Sequence, residues 1–511
     1  MRAWIFPVTL EPRSPTPLFA QIARAISDDV RRGRLRPEQS LPGTRSLART
    51  LAVHRSTVVA AYDELAAQGW VRTRPGASTV VAVSSPEPRP RRFGVAAATA
   101  PAARPGFDVA PGPEVDGPLP PPGVLALWGG VPDLRLAPQA ALGRAWRRAV
   151  RSRDLLGYAA NGRGDLRLRR VLAALLCQAR GLAAGPDDLM VVRGSQMALD
   201  LTARALIQPG DVVVVEAPGY GPARRAFARA GGQVVPVAVD REGLDVAAVE
   251  ALARRTRVRL VYVTPHHQYP TTVTLSASRR LAFLDLAARH RIAVLEDDYD
   301  HEFHYDGRPL LPLASGDRGG VVIYAGSLAK VLAPGLRLGF VVAPRPLLDR
   351  LAAERALVDR QGDLVLERAA AELLEEGELQ RHVRRLRRVY QARRDALCAA
   401  IDHHLPQVLS YRRPAGGMAL WAGLTRGRGA DVEAWQARAL AEGLMFQTGR
   451  IFSFDGRPTP HLRLGFAIAD EGELERAAAI LARTVPPRSS SPRRGRPRRA
   501  ISLAERRGAR T

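Results

Sequence analysis

Along the first eighty residues, apolar side chains recur at helical spacing. In Pro17-Leu18-Phe19-Ala20-Gln21-Ile22-Ala23-Arg24-Ala25-Ile26, the residues Leu18, Ile22, Ala25 and Ile26 share one face, which predicts an amphipathic helix with a core-facing stripe. The same period returns over residues 44–51 and 55–65, with Ala52-Val53-His54 as a tight turn between them. Two β-rich runs, Trp70-Val71-Arg72-Thr73 and Thr79-Val80-Val81-Ala82-Val83, then flank a Pro-Gly and predict a hairpin. Helices in this order, closed by a hairpin, have the grammar of a small α+β winged helix-turn-helix domain over residues 1–83. The pattern lapses over residues 84–122, where Pro, Ala and Arg dominate and little could pack, which predicts a semi-extended linker. From 123 to 485 short β-rich runs alternate with amphipathic helical stretches. The strands expected are 189–193, 212–216, 233–239, 258–264, 292–297, 321–325 and 339–343. Seven strands joined by crossover helices imply an α/β domain with a mostly parallel, doubly wound sheet. Residues 486–511 carry Arg, Pro and Ser without apolar periodicity and read as a basic disordered tail.

A length of 511 residues agrees with two or more cores. Charge adds a partner class: Lys+Arg 76 against Asp+Glu 50 leaves +26, a balance suited to polyanions. No apolar run approaches the roughly 20 residues of a membrane span, and Trp4-Ile5-Phe6 is too short for a signal-peptide core. A cytoplasmic protein without membrane contact is therefore expected. Cys177 and Cys398 stand far apart without a CxxC pattern, so neither a disulfide framework nor a zinc-finger spacing is present. Lys330 is the only lysine. Arginine serves wherever charge suffices, and the surviving amine stands where a guanidinium, which effectively never deprotonates, could not act as a nucleophile.

In the N-terminal block, Arg45, Arg55, Ser56 and Thr57 fall at helix N-termini, where side chains and backbone N–H groups can meet phosphates and base edges together. Arg72, Thr73, Arg74 and Gly76 fall at or beside the hairpin tip, in the position of a wing. Spacing alone leaves open a solvated basic helix pair. The text, however, resembles the winged helix of the GntR family: Pro-Leu-(aromatic)-x-Gln-Ile, a Leu-Pro before the second helix, Arg-x-Leu-Ala, Arg-x-Thr-Val and Ala-Tyr-x-x-Leu all match. That resemblance implies double-stranded operator DNA as partner. Two positions depart from the pattern. Glu38 stands where the family usually has Gly, and Pro75-Gly76-Ala77-Ser78-Thr79 replaces the usual Ser-Gly-Ser-Gly-Thr wing.

In the large domain, Lys330 follows the strand 321–325 in Gly326-Ser327-Leu328-Ala329-Lys330, at the carboxyl end where doubly wound sheets carry ligands. Ile292-Ala293-Val294-Leu295-Glu296-Asp297-Asp298-Tyr299 is a strand running into carboxylates and a phenol. Gly194-Ser195-Gln196 precedes a helix expected over 197–206, so its N–H groups can seat an anion, and Ser327 and Arg337 can join them. Amine, carboxylate, phenol and anion seat are the four groups a pyridoxal phosphate requires. The run Asp297, Asp298, Asp300, His301, Glu302, His304, with His266 and His267, admits a metal reading, but no ligand spacing specific to a metal class appears and none is expected.

These residues resemble a fold-type I aminotransferase in the form carried by MocR-type regulators, over roughly 123–483. The matching runs include Glu216-Ala217-Pro218-Gly219-Tyr220, Thr264-Pro265-His266-His267-Gln268-Tyr269-Pro270-Thr271 and Ser327-Leu328-Ala329-Lys330-Val331-Leu332-Ala333-Pro334-Gly335-Leu336-Arg337. The resemblance implies Lys330 as the internal-aldimine lysine, Asp297 on the pyridine nitrogen and Tyr299 on the phenolic oxygen. It further implies Ser195, Gln196, Ser327 and Arg337 on the phosphate, Tyr220 stacked on the ring, and Arg463 gripping an amino-acid carboxylate. Departures are Thr272 in place of the Gly after Pro-Thr, Ala329 in place of Ser before the lysine, and Ala159-Ala160-Asn161 where Asp-Pro is frequent. The function implied is a homodimeric, pyridoxal-phosphate-dependent transcription regulator. Its effector would be the cofactor itself, γ-aminobutyrate or another amino compound. The alternatives are a working aminotransferase that carries a DNA-binding domain, and a DNA-compacting protein.

Overall fold

In the computed structural model, the N-terminal unit opens with helix α1 (Leu18–Arg31), which starts directly after Pro17 and buries Ile22, Ala23 and Ile26. Leu18 and Ala25, expected on the same face, are half-buried at its margin. Helix α2 (Thr44–Thr50) and helix α3 (Arg55–Ala67) follow, the second capped by His54, whose Nδ1 accepts the Ser56 N–H at 3.4 Å. Strands β1 (Val71–Thr73) and β2 (Thr79–Val81) pair antiparallel, Arg72 opposite Val80. Ile26, Leu47, Val58, Leu65, Trp70 and Val81 close one core, and the Tyr62 hydroxyl donates to the Pro42 carbonyl at 2.7 Å, tying α3 to the turn before α2. Glu38 has φ +65°, a left-handed conformation that costs a non-glycine residue roughly 1–2 kcal/mol. The family's preference for glycine at this position thus has a backbone cause.

The structure describes residues 10–12, 14–73, 78–82, 107–110, 112, 120–158, 162–307, 310–425 and 431–487. The chain divides into two compact units, Met1–Val115 and Asp116–Thr511. Most of the expected linker and tail, the wing residues Arg74 and Gly76, and Ala159-Ala160-Asn161 lie outside the described residues. Among the described residues no helix is long and apolar enough to cross a membrane.

The second unit has its strands in chain order β3 (Leu125–Leu127), β4 (Leu189–Val192), β5 (Val212–Ala217), β6 (Gln233–Asp240), β7 (Gly243–Leu244), β8 (Val258–Val263), β9 (Ala293–Asp298), β10 (Val322–Ser327), β11 (Gly339–Val342), β12 (Leu409–Tyr411), β13 (Ala419–Leu424), β14 (Leu444–Thr448) and β15 (His461–Gly465). Eight of them form one sheet in the order β4-β11-β10-β9-β8-β5-β6-β7. The seven strands expected from sequence are all in it, and the eighth is the two-residue β7, antiparallel on the edge strand β6. Neighbours from β10 through β6 run parallel, whereas β11 is antiparallel to both β10 and β4. Every residue of β4 and of β10 is buried, because apolar clusters cover both faces of the sheet. The doubly wound order sets the carboxyl ends of β4, β5, β8, β9 and β10 along one edge, which is where such sheets bind ligands.

A second, five-stranded sheet, β12-β13-β15-β14-β3, was not expected from the pattern. Its strands are three to six residues long, and one of them, β3, pairs parallel with β14 from the opposite end of the unit, Leu125 opposite Leu444. That pairing sets the turn at Gly129 and Gly130 close to β15.

Candidate functional site

A cavity of about 230 Å³ opens at the strand ends, and Lys330, Asp297, Tyr299, Ser195, Gln196, Tyr220, Ser327 and Arg337 all line it. Lys330 stands in the turn after β10, and its Nζ donates to the Gly130 carbonyl at 2.6 Å. Burial pulls its ammonium down to about 8, against the pull of Asp300 and Asp297, which favour the charge. Asp297 is the penultimate residue of β9 and accepts the Tyr262 hydroxyl at 2.9 Å on Oδ2. Its Oδ1 is buried and has no hydrogen-bond partner. Burial pushes the Asp297 carboxyl up to about 6, with the Asp298 charge adding to the rise and Tyr262 and Ser195 opposing it. A buried, unpartnered carboxylate oxygen beside an amine suits a cationic ring nitrogen, which would supply the missing donor and return the group to its ionised form.

Ser195 opens helix Ser195–Leu206, two residues earlier than expected, so the N–H groups of its first turn point at the cavity edge. Gly194 before it has φ +75°, and a Cβ there would approach Arg337 Nη2 to 3.0 Å. Glycine thus leaves the guanidinium room at the helix end. Arg337 itself donates from Nη2 to the Arg193 carbonyl at 3.0 Å, and the Ser327 Oγ accepts the Ala329 N–H at 3.2 Å. Hydroxyls, a guanidinium and a helix N-terminus converge there, which fits a phosphate. Tyr220 packs edge-on against Tyr269 with centroids 5.2 Å apart. Tyr299 reaches the cavity, but its hydroxyl donates to the His267 carbonyl at 2.9 Å. These residues fit pyridoxal phosphate.

Arg463 is on β15 and is not among the cavity-lining residues. It is 1 % exposed, with Nε and Nη1 buried and unpartnered, and its guanidinium sits 4.3 Å from the Tyr269 ring centroid. A side chain at Gly129 would overlap it, so the glycine in the turn before Gly130 keeps this cation in place. Two unused donors next to the Lys330 cavity suit a carboxylate ligand.

The sequence reading missed Tyr262, Gly130 and Glu216. Tyr262 was hidden as one aromatic in an apolar strand, although a hydroxyl in a fully buried run needs a partner. Glu216, at the end of β5, accepts the Thr264 hydroxyl at 2.6 Å and the Gln268 amide at 3.2 Å, and burial pushes it up to about 7. Burial likewise takes His267 down to about 3, so it is neutral at ordinary pH.

In the N-terminal unit, Arg45, Arg55 and Ser56 are exposed and Thr57 is half-buried, at the first turns of α2 and α3. Arg55 Nε donates to the Thr44 hydroxyl at 3.4 Å, which links the two helix starts. Arg72 forms an ion pair with Glu38. The same residue that strains the backbone therefore also engages a wing arginine.

Residues 18–81 match the family Bacterial regulatory proteins, gntR family, and residues 133–481 match Aminotransferase class I and II. Over 466 residues the chain is 33 % identical to the probable rhizopine catabolism regulatory protein MocR of Rhizobium meliloti, covering 91 % of this chain and 92 % of that protein. It is 33 % identical to the pyridoxine biosynthesis transcriptional regulator PdxR of Corynebacterium glutamicum, over 76 % of this chain and 80 % of the relative. Among solved structures, the kynurenine aminotransferase of Pyrococcus horikoshii superposes with a TM-score of 0.67 at 30 % identity, covering 71 % of this chain and 91 % of that one.

Proposed function

The chain belongs to the MocR-type regulators of the GntR family, with a class I and II aminotransferase domain, and from that premise we propose that occupancy of the Lys330 cavity sets the affinity of its reader for operator DNA. It is a DNA-binding transcription regulator whose cofactor is pyridoxal phosphate. The observation that carries the proposal is the pairing, in one cavity, of the only lysine with a buried carboxylate one of whose oxygens has no hydrogen-bond partner. When bound, the cofactor supplies an electrophilic aldehyde and an electron-withdrawing ring. Lys330 offers its amine, and the lowered ammonium leaves a useful fraction of free base near neutral pH. Asp297 holds the ring nitrogen, Tyr262 orients Asp297, and Tyr220 covers the ring. Tyr299 faces the phenolic oxygen, while Ser195, Gln196, Ser327 and Arg337 bind the phosphate. Arg463 receives the carboxylate of an amino compound, so the effector is an amino acid or the cofactor alone. Arg45, Arg55, Ser56 and Thr57 read or anchor DNA, with Arg72, Arg74 and Gly76 at the wing. The protein acts in the cytoplasm as a homodimer, so that two readers meet two half-sites.

A working aminotransferase is the lesser reading. Relatives matched over more than nine-tenths of the chain, MocR at 91 % and the regulator TauR of Rhodobacter capsulatus at 93 %, are regulators, whereas the 2-aminoadipate transaminase of Thermus thermophilus matches 71 %.

Borohydride reduction of the protein with pyridoxal phosphate, followed by peptide mass spectrometry, tests the cavity. The label is expected on the peptide containing Lys330 and is expected to vanish in Lys330→Ala. With no second lysine in the chain, an unlabelled wild type, or a variant labelled equally at its α-amino group, would overturn the assignment.

A further inference from the structure

Adjoining the cofactor cavity, four imidazoles pack together. His266 and His267 lie in the loop after β8, and His301 and His304 in the loop after β9. Ring centroids are 4.3 Å apart for His266 and His267, 4.6 Å for His266 and His301, 5.8 Å for His266 and His304, and 5.9 Å for His267 and His304. His266, His267 and His301 are buried and His304 is half-buried. Neither ring nitrogen of His266 has a hydrogen-bond partner, nor has Nε2 of His267 or Nδ1 of His304. Buried polar atoms are normally satisfied, so several orphaned nitrogens in one place require an explanation.

Two ring nitrogens face carboxylates: His301 Nδ1 lies 2.9 Å from Asp298 Oδ2, and the second contact is the more informative. His267 Nδ1 lies 2.8 Å from Asp300 Oδ1; in the tautomer that donates from Nδ1 to this carboxyl oxygen, the lone pair stands on Nε2. A side chain at Gly416 would overlap that Nε2, so only glycine at this position leaves the ring its place. His266, His267 and His304 can each offer one nitrogen such that all three lie within 4.8 Å of one another. Zinc–nitrogen bonds of about 2.0–2.1 Å hold donors roughly 3.3 Å apart, so the rings need to close by at most about 1.5 Å. Of the three rings, His304 is the least buried. Linear spacing carries no metal signature here because the ligands converge from the ends of two adjacent parallel strands.

We propose that His266, His267 and His304 form a binding site for a borderline divalent transition metal of the zinc class. Three imidazoles without a thiolate suit zinc, cobalt or nickel and leave a fourth position for water or a small ligand. The site adjoins the cofactor cavity, since the His267 carbonyl accepts the Tyr299 hydroxyl.

The test uses the full chain, stripped with chelator and titrated with zinc sulfate or cobalt chloride, with bound metal counted after gel filtration and the cobalt visible spectrum recorded. One ion per chain is expected, with the intense spectrum of four-coordinate cobalt. His266→Ala and His304→Gln, drawn from different loops, are each expected to weaken binding tenfold or more, while His403→Ala/His404→Ala, an exposed and a half-buried histidine at the end of helix Glu378–His404, leaves it unchanged. Circular dichroism and pyridoxal phosphate trapping on Lys330 verify that each variant is folded. Wild type that retains no metal, affinity indifferent to both cluster variants, or binding abolished by the surface pair would each overturn the proposal.

Discussion

The reader and the large unit carry their chemistry in opposite ways. In the reader, Arg45, Arg55, Ser56 and Thr57 stand on consecutive helices in one short stretch, fixed by the His54 cap of α3 and by a core of a few apolar residues. In the large unit, Ser195, Tyr220, Asp297 and Lys330 come from four separate strand ends and meet only because the sheet order aligns those ends. A local site tolerates exposure and works by surface charge. A site assembled across a sheet is buried, and every polar atom in it must be paired or left deliberately open. Arg55 and Asp297 express the contrast: one is exposed, and the other is buried with a free oxygen.

The contrast can be broken by exchange of effects. The largest expected is for Asp297→Ala, which should weaken pyridoxal phosphate by on the order of 2–5 kcal/mol, the usual loss when one partner of a buried charge pair is removed. Operator affinity without cofactor should not change, and equilibrium dialysis alongside gel shift measures both. Arg55→Ala should do the reverse, costing about 1–3 kcal/mol in operator binding if it reads a base, with cofactor affinity unaltered. A variant that lost both functions would show that the two units are not separable.

Acidity sharpens the comparison next. Asp297 in the apo protein is raised to about 6, and only its ionised form pairs with a cationic ring nitrogen, so cofactor affinity should rise as pH passes through about 6. Lys330 is lowered to about 8, and only its free amine attacks the aldehyde, so attachment should quicken up to about pH 8 and then level off. In Asp297→Asn the first limb should shrink while the second remains; an unaltered pH profile in the variant would deny Asp297 its role. The smallest effect concerns the backbone. Thr272 has φ +63°, an unfavourable value for a β-branched residue, and Thr272→Gly should stabilise the protein by about 1 kcal/mol in thermal melting. Glu38→Gly should gain less, because it also releases Arg72 from its ion pair.

How much of this could be read from the chain follows from the same contrast. Helical periodicity sufficed for α1 to α3, and short apolar runs sufficed for the seven main strands, whose sheet is covered on both faces by apolar clusters. The five-stranded sheet escaped because β3 and β12 are three residues long and β3 gains its partner from the opposite end of the unit. Lys330 and Asp297 were legible because the sequence around them is chemically specific. Tyr262 was not, because nothing in a strand reading Val-Arg-Leu-Val-Tyr-Val reveals that its hydroxyl will meet Asp297. The glycine substitutions at 38 and 272 were visible in sequence as departures, but their physical meaning, a positive φ at each, required coordinates. The histidine cluster lay in plain sight in sequence, and only the adjacency of β8 and β9 brings its members together.

The most direct test of cofactor-linked regulation is the affinity of the full-length protein for DNA upstream of its own gene, measured by fluorescence anisotropy with and without pyridoxal phosphate, for wild type and Lys330→Ala. Wild type should shift its affinity when the cofactor is added, and the variant should bind the same DNA with no cofactor response. An equal response in both proteins, or none in a wild type whose Lys330 is fully labelled, would contradict the account.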